Sequence, residues 1–497
     1  MRISGLYSGL DIETMVQDIM KAERIPVDRV YRQKVKAEWK RDAYREVNTK
    51  LLQLRTKAFD LRLQASFSTR KVTTSDAAVV SATATGQAVD GTYTIKVERL
   101  AEAAHWEIGN VEGAIKSIWG SDSEQAPEGP AEIVFRGADG SLVTLTINED
   151  DTGASIVEKI NSNRALGLTA IYDPEGDRMM ISTRATGKSA QIAVHSSTNE
   201  AGRQLLAEWF PDIAEDAFDT EGFVDVGKSG QDAKLEINGL VIERESNTFT
   251  INGLNITLHG VTQGESSVRL TVERDVDAIY ERIKGFVDLY NEIVTELNLK
   301  LREPVNRSYE PLTEEERKEM DEKDIELWEK AAKSGLLRSD PIISRILSDM
   351  RVAISSSQLD RIGIKTGSWQ EYGILHIDET ALKQAIAEDP DRVMELFTRQ
   401  EEGENVGLAG KLTKILDDGM DRIVSTAGKA SIPYDTSYLG EQIRRYESRL
   451  EAMQERLDQV ENRYWNQFIA MERALSELYA QSDWLYQQLA ALQGVRG

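Results

Sequence analysis

Residues able to carry catalysis or hold a metal ion are few and scattered in this sequence. Its 497 residues include no cysteine, which excludes disulfides, thiolate nucleophiles and cysteine-held zinc. The four histidines stand in separate strand-like or turn-like stretches, none at ligand spacing from another: His105, His195, His259 and His376. No phosphate-binding glycine loop or nucleophile elbow occurs. We therefore expect no enzyme activity, no cofactor and no metal site.

Two acidic stretches have side chains that could bind cations. The run from Asn148 to Asp151 offers the oxygen ligands that calcium prefers, but we interpret it as a solvated turn. Residues 304–333 are densely charged, and Thr313 with Glu316 forms a capping-box sequence. This pattern predicts an exposed helix from Glu314 to Ala332, and cation binding by its carboxylates is the alternative.

The net charge of −24 argues against nucleic-acid binding through phosphate contacts. The first 71 residues carry a net +7 and the rest carry −31, so a basic nucleic-acid arm is one interpretation. Basic residues alternate there with acidic ones, as in Asp28-Arg29 and Arg41-Asp42, which favours the solvated face of a helix. No run of 18 apolar residues occurs, so we predict no membrane insertion. Because no cleavable signal peptide is recognisable, we expect either a cytoplasmic chain or export by a route that needs none.

The last long segment, Glu441 to Gln493, is amphipathic and contains no proline. Alternating steps of three and four residues reach 13 positions, of which 11 are apolar, against roughly five expected from the 40% apolar composition. These positions are Ile443, Tyr446, Leu450, Met453, Leu457, Val460, Tyr464, Gln467, Met471, Ala474, Leu478, Gln481 and Leu485. Such a period is typical of helices that pair in a left-handed supercoil. We predict that this helix pairs with the other end of the chain and with further copies.

The N-terminal segment has a matching pattern. Asp11 is a candidate N-cap, and apolar residues recur at helical spacing from Ile12 to Leu61. Pro26 is expected to interrupt this helix or to restart it. Residues 12–63 are therefore predicted to form one or two amphipathic helices, comparable in length with the C-terminal one.

Between these ends the periodicity changes twice. Residues 72–273 read as β-rich, with one short helix predicted from Ser155 to Asn161. The pair Asn238-Gly239, between two alternating runs, predicts a hairpin. Helical periodicity then returns at 276–297, 342–352, 379–398 and 412–424, with a hairpin at 362–377.

These patterns predict an α+β multidomain fold. It has a coiled-coil stem of paired N- and C-terminal helices, a helical domain and inserted β-rich lobes. The predicted boundaries are 1–43 and 441–497 for the stem, 44–71 with 274–440 for the helical domain, 72–105 with 225–273 for a β-rich lobe, and 106–224 for an outer β-rich lobe nested in it.

Both ends also carry recognisable motifs. The opening Ile3-Ser4-Gly5-Leu6-Tyr7-Ser8-Gly9-Leu10-Asp11 and the later runs Tyr372 to Asp378, Asp389 to Phe397 and Arg463 to Phe468 resemble the flagellar hook-associated protein 2 family. That family comprises the filament-capping proteins of bacterial flagella. The resemblance covers nearly the whole chain, whereas the charged segment 304–333 lies outside the family's general pattern.

The resemblance implies a non-enzymatic cap at the distal tip of the flagellum, outside the cell. Several copies, commonly five, would form a plate that promotes folding and insertion of flagellin and prevents its loss to the medium. The implied partners are further copies (a homo-oligomer, specifically a pentamer), flagellin, the hook–filament junction protein, an export chaperone and the flagellar type III export apparatus. A surface adhesin that binds through its β-rich lobes is the alternative.

The resemblance also suggests which residues meet those partners. Apolar residues of the stem would face further copies and flagellin: Leu6, Leu10, Met15, Ile19, Leu450, Leu457, Val460, Tyr464, Met471, Leu478 and Leu485. The last helix has more aromatic residues than one seam needs. Trp465, Phe468, Tyr479 and Trp484 are candidates for a second buried face against another subunit or the chaperone, and ordinary coiled-coil packing is the alternative.

Overall fold

The computed structural model describes residues 10–119, 127, 129–211, 217–400, 406–432 and 434–494. The chain divides into two compact units, one formed by residues 1–67 with 276–497 and the other by residues 68–275. Helices dominate the first unit and antiparallel sheets the second, which confirms the predicted α+β class.

The first unit begins with one long helix, α1 (Ile12–Asp60). Asp11 caps it as predicted, because its carboxylate accepts a hydrogen bond from a first-turn backbone N–H at 3.0 Å. Pro26 lies inside the helix, so the prediction of an interruption there is wrong. A proline has a helical φ and removes one backbone hydrogen bond, a cost that the burial of Met20 and Val30 on either side offsets.

The second unit contains fifteen strands and three helices within its described residues. In chain order these are β1 (Arg70–Thr74), β2 (Val80–Ala84), β3 (Gly91–Arg99), β4 (Ala103–Gly109), α2 (Val111–Trp119), β5 (Ala131–Arg136), β6 (Leu142–Ile147), α3 (Gly153–Ser162), β7 (Leu168–Asp173), β8 (Arg178–Thr186), β9 (Ile192–His195), α4 (Glu200–Trp209), β10 (Phe223–Val226), β11 (Ala233–Ile237), β12 (Leu240–Arg244), β13 (Thr248–Ile251), β14 (Leu254–Leu258) and β15 (Val268–Arg274).

These strands form four sheets around two hydrophobic clusters. The sheets β1-β15-β3-β11-β12 and β13-β14-β2 share one cluster, whereas β10-β9-β5-β6 and β4-β8-β7 share the other with the three helices. The predicted hairpin is confirmed, since Asn238 and Gly239 have φ of +49° and +87° in a two-residue turn between β11 and β12. The prediction of a single helix is wrong: α3 forms, but α2 and α4 do too. Each has only nine or ten residues, too few repeats for the helical period to stand out.

The rest of the first unit is a helical bundle with one small hairpin. Its elements are α5 (Val276–Arg302), α6 (Glu314–Lys318), α7 (Glu322–Lys333), α8 (Pro341–Ser355), β16 (Ile364–Thr366), β17 (Leu375–Ile377), α9 (Glu379–Glu388), α10 (Pro390–Thr398), α11 (Leu408–Ala427) and α12 (Tyr438–Gly494). A single cluster packs the second half of α1 against α5, α8, α9 and α11. The capping box at Thr313 and Glu316 is confirmed, but the expected continuous helix from Glu314 to Ala332 is wrong. The chain forms two shorter helices there, with Asp321 in extended conformation between them.

Candidate assembly surface

The two terminal helices pair through a small apolar cluster, which we call the stem cluster. Its buried members are Ile12, Val16 and Met20 of α1 with Leu457 and Trp465 of α12, and the half-buried Val27, Val460, Tyr464 and Phe468 pack against them. The helices run antiparallel, because Lys34 lies 3.2 Å from Glu447 and Arg45 lies 2.8 Å from Asp435. This arrangement confirms the predicted pairing of the N- and C-terminal helices.

Ion pairs also hold α1 to the C-terminal part of the chain, further along α1 than the stem cluster. Partial burial alone would lower the pKa of Lys34, but the carboxylates of Glu447 and Glu38 outweigh it and raise that pKa. Arg45 donates to the carbonyl of Ala427 at 2.9 Å as well as to Asp435. Burial opposes ionisation of Asp435, yet its hydrogen bonds and the nearby arginine lower the pKa of this carboxyl. The stem therefore leaves the bundle in a defined direction.

The predicted stem residues fall into four groups. Leu457, Val460 and Tyr464 lie in the stem cluster, and Ile19 and Leu450 are half-buried. The exposed ones are Leu10, Met15, Met471, Leu478 and Leu485. Leu6 lies outside the described residues. Ile12, Val16 and Met20 make the inner face of α1. Their helical spacing was visible in the sequence, but they were not among the residues predicted to meet partners.

Beyond Phe468, the apolar positions of α12 continue into solvent. The exposed fractions of Leu478 and Leu485 are 60% and 54%, although both belong to the same sequence period as the buried Leu457. The aromatic residues divide in the same way. Trp465 and Phe468 pack in the stem cluster, whereas Tyr479 and Trp484 are exposed. The part of α12 after Phe468 thus presents a stripe of apolar residues, interrupted by Gln481, that the described part of this chain leaves uncovered.

The histidines considered for catalysis or metal binding lie in separate places in the structure. Three histidines contact local polar groups: His195 with Ser197 at 2.7 Å, His259 with Ser81 at 2.7 Å and His376 with Glu371 at 2.9 Å. No three histidine or acidic side chains come together to hold a metal ion in the described part of the chain. Nor does any helix of the described ranges have the length and apolar content to cross a membrane.

The acidic turn before α3 differs from its sequence interpretation. The carboxylate of Asp151 is nearly buried rather than solvated. It accepts hydrogen bonds from the backbone of Asn148 at 2.7 Å and from the hydroxyl of Ser155 at 2.6 Å, and it pairs with Lys159. Burial alone would raise the pKa of Asp151, but these hydrogen bonds and the Lys159 ammonium outweigh burial and lower that pKa. This carboxylate holds the turn before α3 together, and Thr152 is the residue that caps the helix.

Comparison with known proteins identifies the family. Residues 8–104 match the family described as Flagellar hook-associated protein 2 N-terminus, and residues 230–480 match Flagellar hook-associated protein 2 C-terminus. The Flagellar hook-associated protein 2 of Halalkalibacterium halodurans is 31% identical over 97% of this chain and 98% of its own length. That of Escherichia coli K12 is 23% identical over 97% of each chain. The crystal structure of the flagellar cap protein FliD D1-D2-D3 domains from Escherichia coli has the same fold, with a TM-score of 0.56 at 20% identity over 77% of this chain and 99% of that one.

Paired terminal helices, a helical bundle and inserted antiparallel sheets define a multidomain protein with the fold of that flagellar cap protein. The two family matches and the relative that is 31% identical over almost the whole length of both chains make the assignment specific. The chain belongs to the flagellar hook-associated protein 2 family. Each of these three relatives bears the name of a flagellar protein, and none of the three is named as an enzyme or an adhesin.

Proposed function

We propose that this chain is a non-enzymatic cap of the flagellar filament. Copies of it form a plate at the distal tip, promote the folding and insertion of flagellin, and prevent the loss of flagellin to the medium. The observation that carries this proposal is family membership over nearly the full length of the chain. The exposed stripe on α12 supports it, because an assembly factor needs apolar surface that its own fold leaves open.

The stripe suggests how a cap remains bound to the filament while it exchanges one neighbouring subunit for the next. Leu478 and Leu485 are a little over half exposed, so covering either contributes about 1–2 kcal/mol, and a few such contacts per copy retain the plate. Apolar contacts are not directional, so equivalent helices of neighbouring subunits are interchangeable partners. The stem can therefore exchange one neighbour for the next without dissociating.

The finer details are part of the same proposal. The assembly is a homo-oligomer, most simply a pentamer, located outside the cell and exported through the flagellar type III apparatus without a cleavable signal. Its other partners are the hook–filament junction protein and an export chaperone, and the exposed Tyr479 and Trp484 are candidates to meet that chaperone. We also propose the domain boundaries predicted from the sequence, with residues 106–224 as an outer lobe nested in the β-rich region.

The proposal is tested by deleting the gene and complementing with variants. Cells without the protein should release unpolymerised flagellin and lack long filaments, and the wild-type gene should restore both. Leu478→Glu with Leu485→Glu should fail to restore them, because the charges cannot be buried in the plate or against flagellin. Long attached filaments on the deletion strain would contradict the proposal.

A matched control is available on the same helix. Ala480 and Gln487 are exposed and lie on the face opposite the stripe, since about 100° separates successive residues of a helix. Ala480→Glu with Gln487→Glu adds the same charge and should restore filament growth. If both pairs behave alike, added charge rather than the stripe is responsible.

A further inference from the structure

The charged segment 304–333, which we call the strap, leaves the bundle after α5 and returns to it before α8. All its residues are described, and none belongs to a hydrophobic cluster. Leu301 and Leu337, on either side of the strap, both pack in the cluster of the bundle. Apolar packing therefore fixes the two ends of the strap. Between them Leu312 and Ala332 are also buried, at 4% and 7% exposed, and charged side chains make most of the remaining contacts.

Ion pairs connect the first part of the strap to α1. Arg32 reaches two strap carboxylates, Glu310 at 3.0 Å and Glu316 at 2.6 Å, and Glu310 also lies 3.3 Å from Lys36. Partial burial opposes ionisation, but the cations of α1 and the local hydrogen bonds lower the pKa values of Glu310 and Glu316. These contacts share members, so they form a network rather than isolated surface pairs.

A further ion pair and an aromatic contact extend the attachment along α1. Arg24 pairs with Glu315, about two helical turns before Arg32, and the ammonium of Lys333 lies 4.9 Å from the centre of the Trp39 ring. Within the strap, the indole N–H of Trp328 donates to a backbone carbonyl of the first part at 2.8 Å. The two parts of the strap are therefore held together, and the whole segment spans α1 from Arg24 to Trp39.

The space beneath the strap is not a packed interface. A groove of about 720 Å³ separates α7 from α1 and the end of α5, and eight of its twelve lining residues are charged. Charged side chains are costly to remove from water, so this groove contributes little apolar attraction between α7 and α1. Apart from the burial of Leu312 and Ala332, attachment of the strap therefore depends on the ion pairs and the cation–π contact described above.

From this geometry we propose that the strap is a detachable electrostatic clamp on the stem helix. When attached, it supports α1 where that helix leaves the bundle, and it covers the basic flank of the stem. Its attachment should weaken at high salt, which shortens the range of charge interactions to about 3 Å at 1 M. In the assembled plate, a part that rests on the proposed capping function, the clamp would direct neighbouring subunits to the uncovered flank of α1.

The clamp is testable by distance measurement in the free, full-length chain. Because the protein has no cysteine, Gln33→Cys on α1 and Leu327→Cys on α7 give two unique sites for spin labels, and both positions are exposed. Double electron–electron resonance should show one narrow distance distribution at low salt and a broader one at 1 M salt. Arg32→Gln with Lys36→Gln should broaden it at low salt, with the displaced population rising about tenfold.

Lys21→Gln with Arg29→Gln is the matched control. It removes the same charge from exposed positions of α1 that make no ion pair or hydrogen bond with the strap among the described residues, and it should leave the distribution narrow. The proposal would be overturned if the distance distribution of Arg32→Gln with Lys36→Gln stayed narrow at both salt concentrations. It would also be overturned if this variant and the control variant broadened the distribution equally. Circular dichroism of each variant checks that α1 remains helical. Since the measurement uses single chains in solution, its failure is distinct from failure of the capping function, which is read from flagellin in the medium.

Discussion

A buried hydrogen bond between the stem helix and the bundle gives the sharpest prediction about stability. Tyr44 of α1 is 2% exposed, and its hydroxyl donates to Oδ2 of Asp340, which is 4% exposed. Burial and the adjacent carboxylate raise the pKa of Tyr44, so the hydroxyl stays protonated. The other oxygen of Asp340 caps α8, accepting from the backbone of Ile342 at 3.0 Å and of Ile343 at 3.2 Å. One carboxylate thus joins α1 to the start of α8.

Tyr44→Phe keeps the ring and removes only the donor. The carboxylate then stays buried with one oxygen deprived of its partner, which should cost about 1.5–3 kcal/mol. Hydrogen exchange measured by mass spectrometry in the full chain reports this locally, because opening of one region need not unfold the other unit. Amides of α8 should exchange roughly 10- to 150-fold faster, whereas amides of β5 in the second unit should be unchanged.

Tyr438→Phe provides the control for this measurement. Tyr438 is 62% exposed, and its hydroxyl makes no hydrogen bond to the described residues, so loss of that hydroxyl should change exchange by less than about twofold. The reasoning would be refuted if Tyr44→Phe also left the exchange of α8 within about twofold of the wild-type rate. In that case water or another group replaces the lost donor, and the junction does not depend on this bond.

Three further predictions follow from separate parts of the chain. Asp11→Ala removes the N-cap of α1 and should cost about 1 kcal/mol, seen as roughly fivefold faster exchange in the first turn only. Because the folded-state pKa values of Glu310 and Glu316 are lowered, their contribution is complete above the ordinary glutamate value of about 4.3 and is lost as pH falls through the folded values. Spin-label distances between strap and α1 should therefore broaden in acid at constant salt, and a distribution independent of pH would contradict this. Deleting residues 106–224 should leave filament growth largely intact if the chain is a cap. If the chain is an adhesin, the same deletion should abolish its binding to surfaces.

Motifs made by a few neighbouring residues could be interpreted correctly from the sequence. Capping by Asp11, the capping box of Thr313 with Glu316, and the Asn238-Gly239 turn all formed, because each requires only a few consecutive residues to satisfy local hydrogen bonds or φ angles. The helical period near both ends was equally informative, since it repeats over many turns. Where repeats were few, as in α2 and α4, the same method failed.

The candidate site was only partly predictable. Leu457 and Leu485 occupy equivalent positions in the sequence period, yet in the structure Leu457 is buried against α1 and Leu485 is exposed. The position at which a partner helix begins determines this difference, and no local pattern in α12 encodes it. In the same way, an exposed charged helix and a clamped strap have similar composition, and only the folded chain brings Arg32 between two glutamates.

The sequence by itself determined that this chain has long amphipathic helices at both ends and β-rich insertions between them. These properties depend on residue type and spacing along the chain. Tertiary structure alone decided which apolar positions are covered within one chain, how the charged strap lies on α1, and which part of α12 remains open. Those properties depend on contacts between residues hundreds of positions apart, whose energies exist only after the helices have packed.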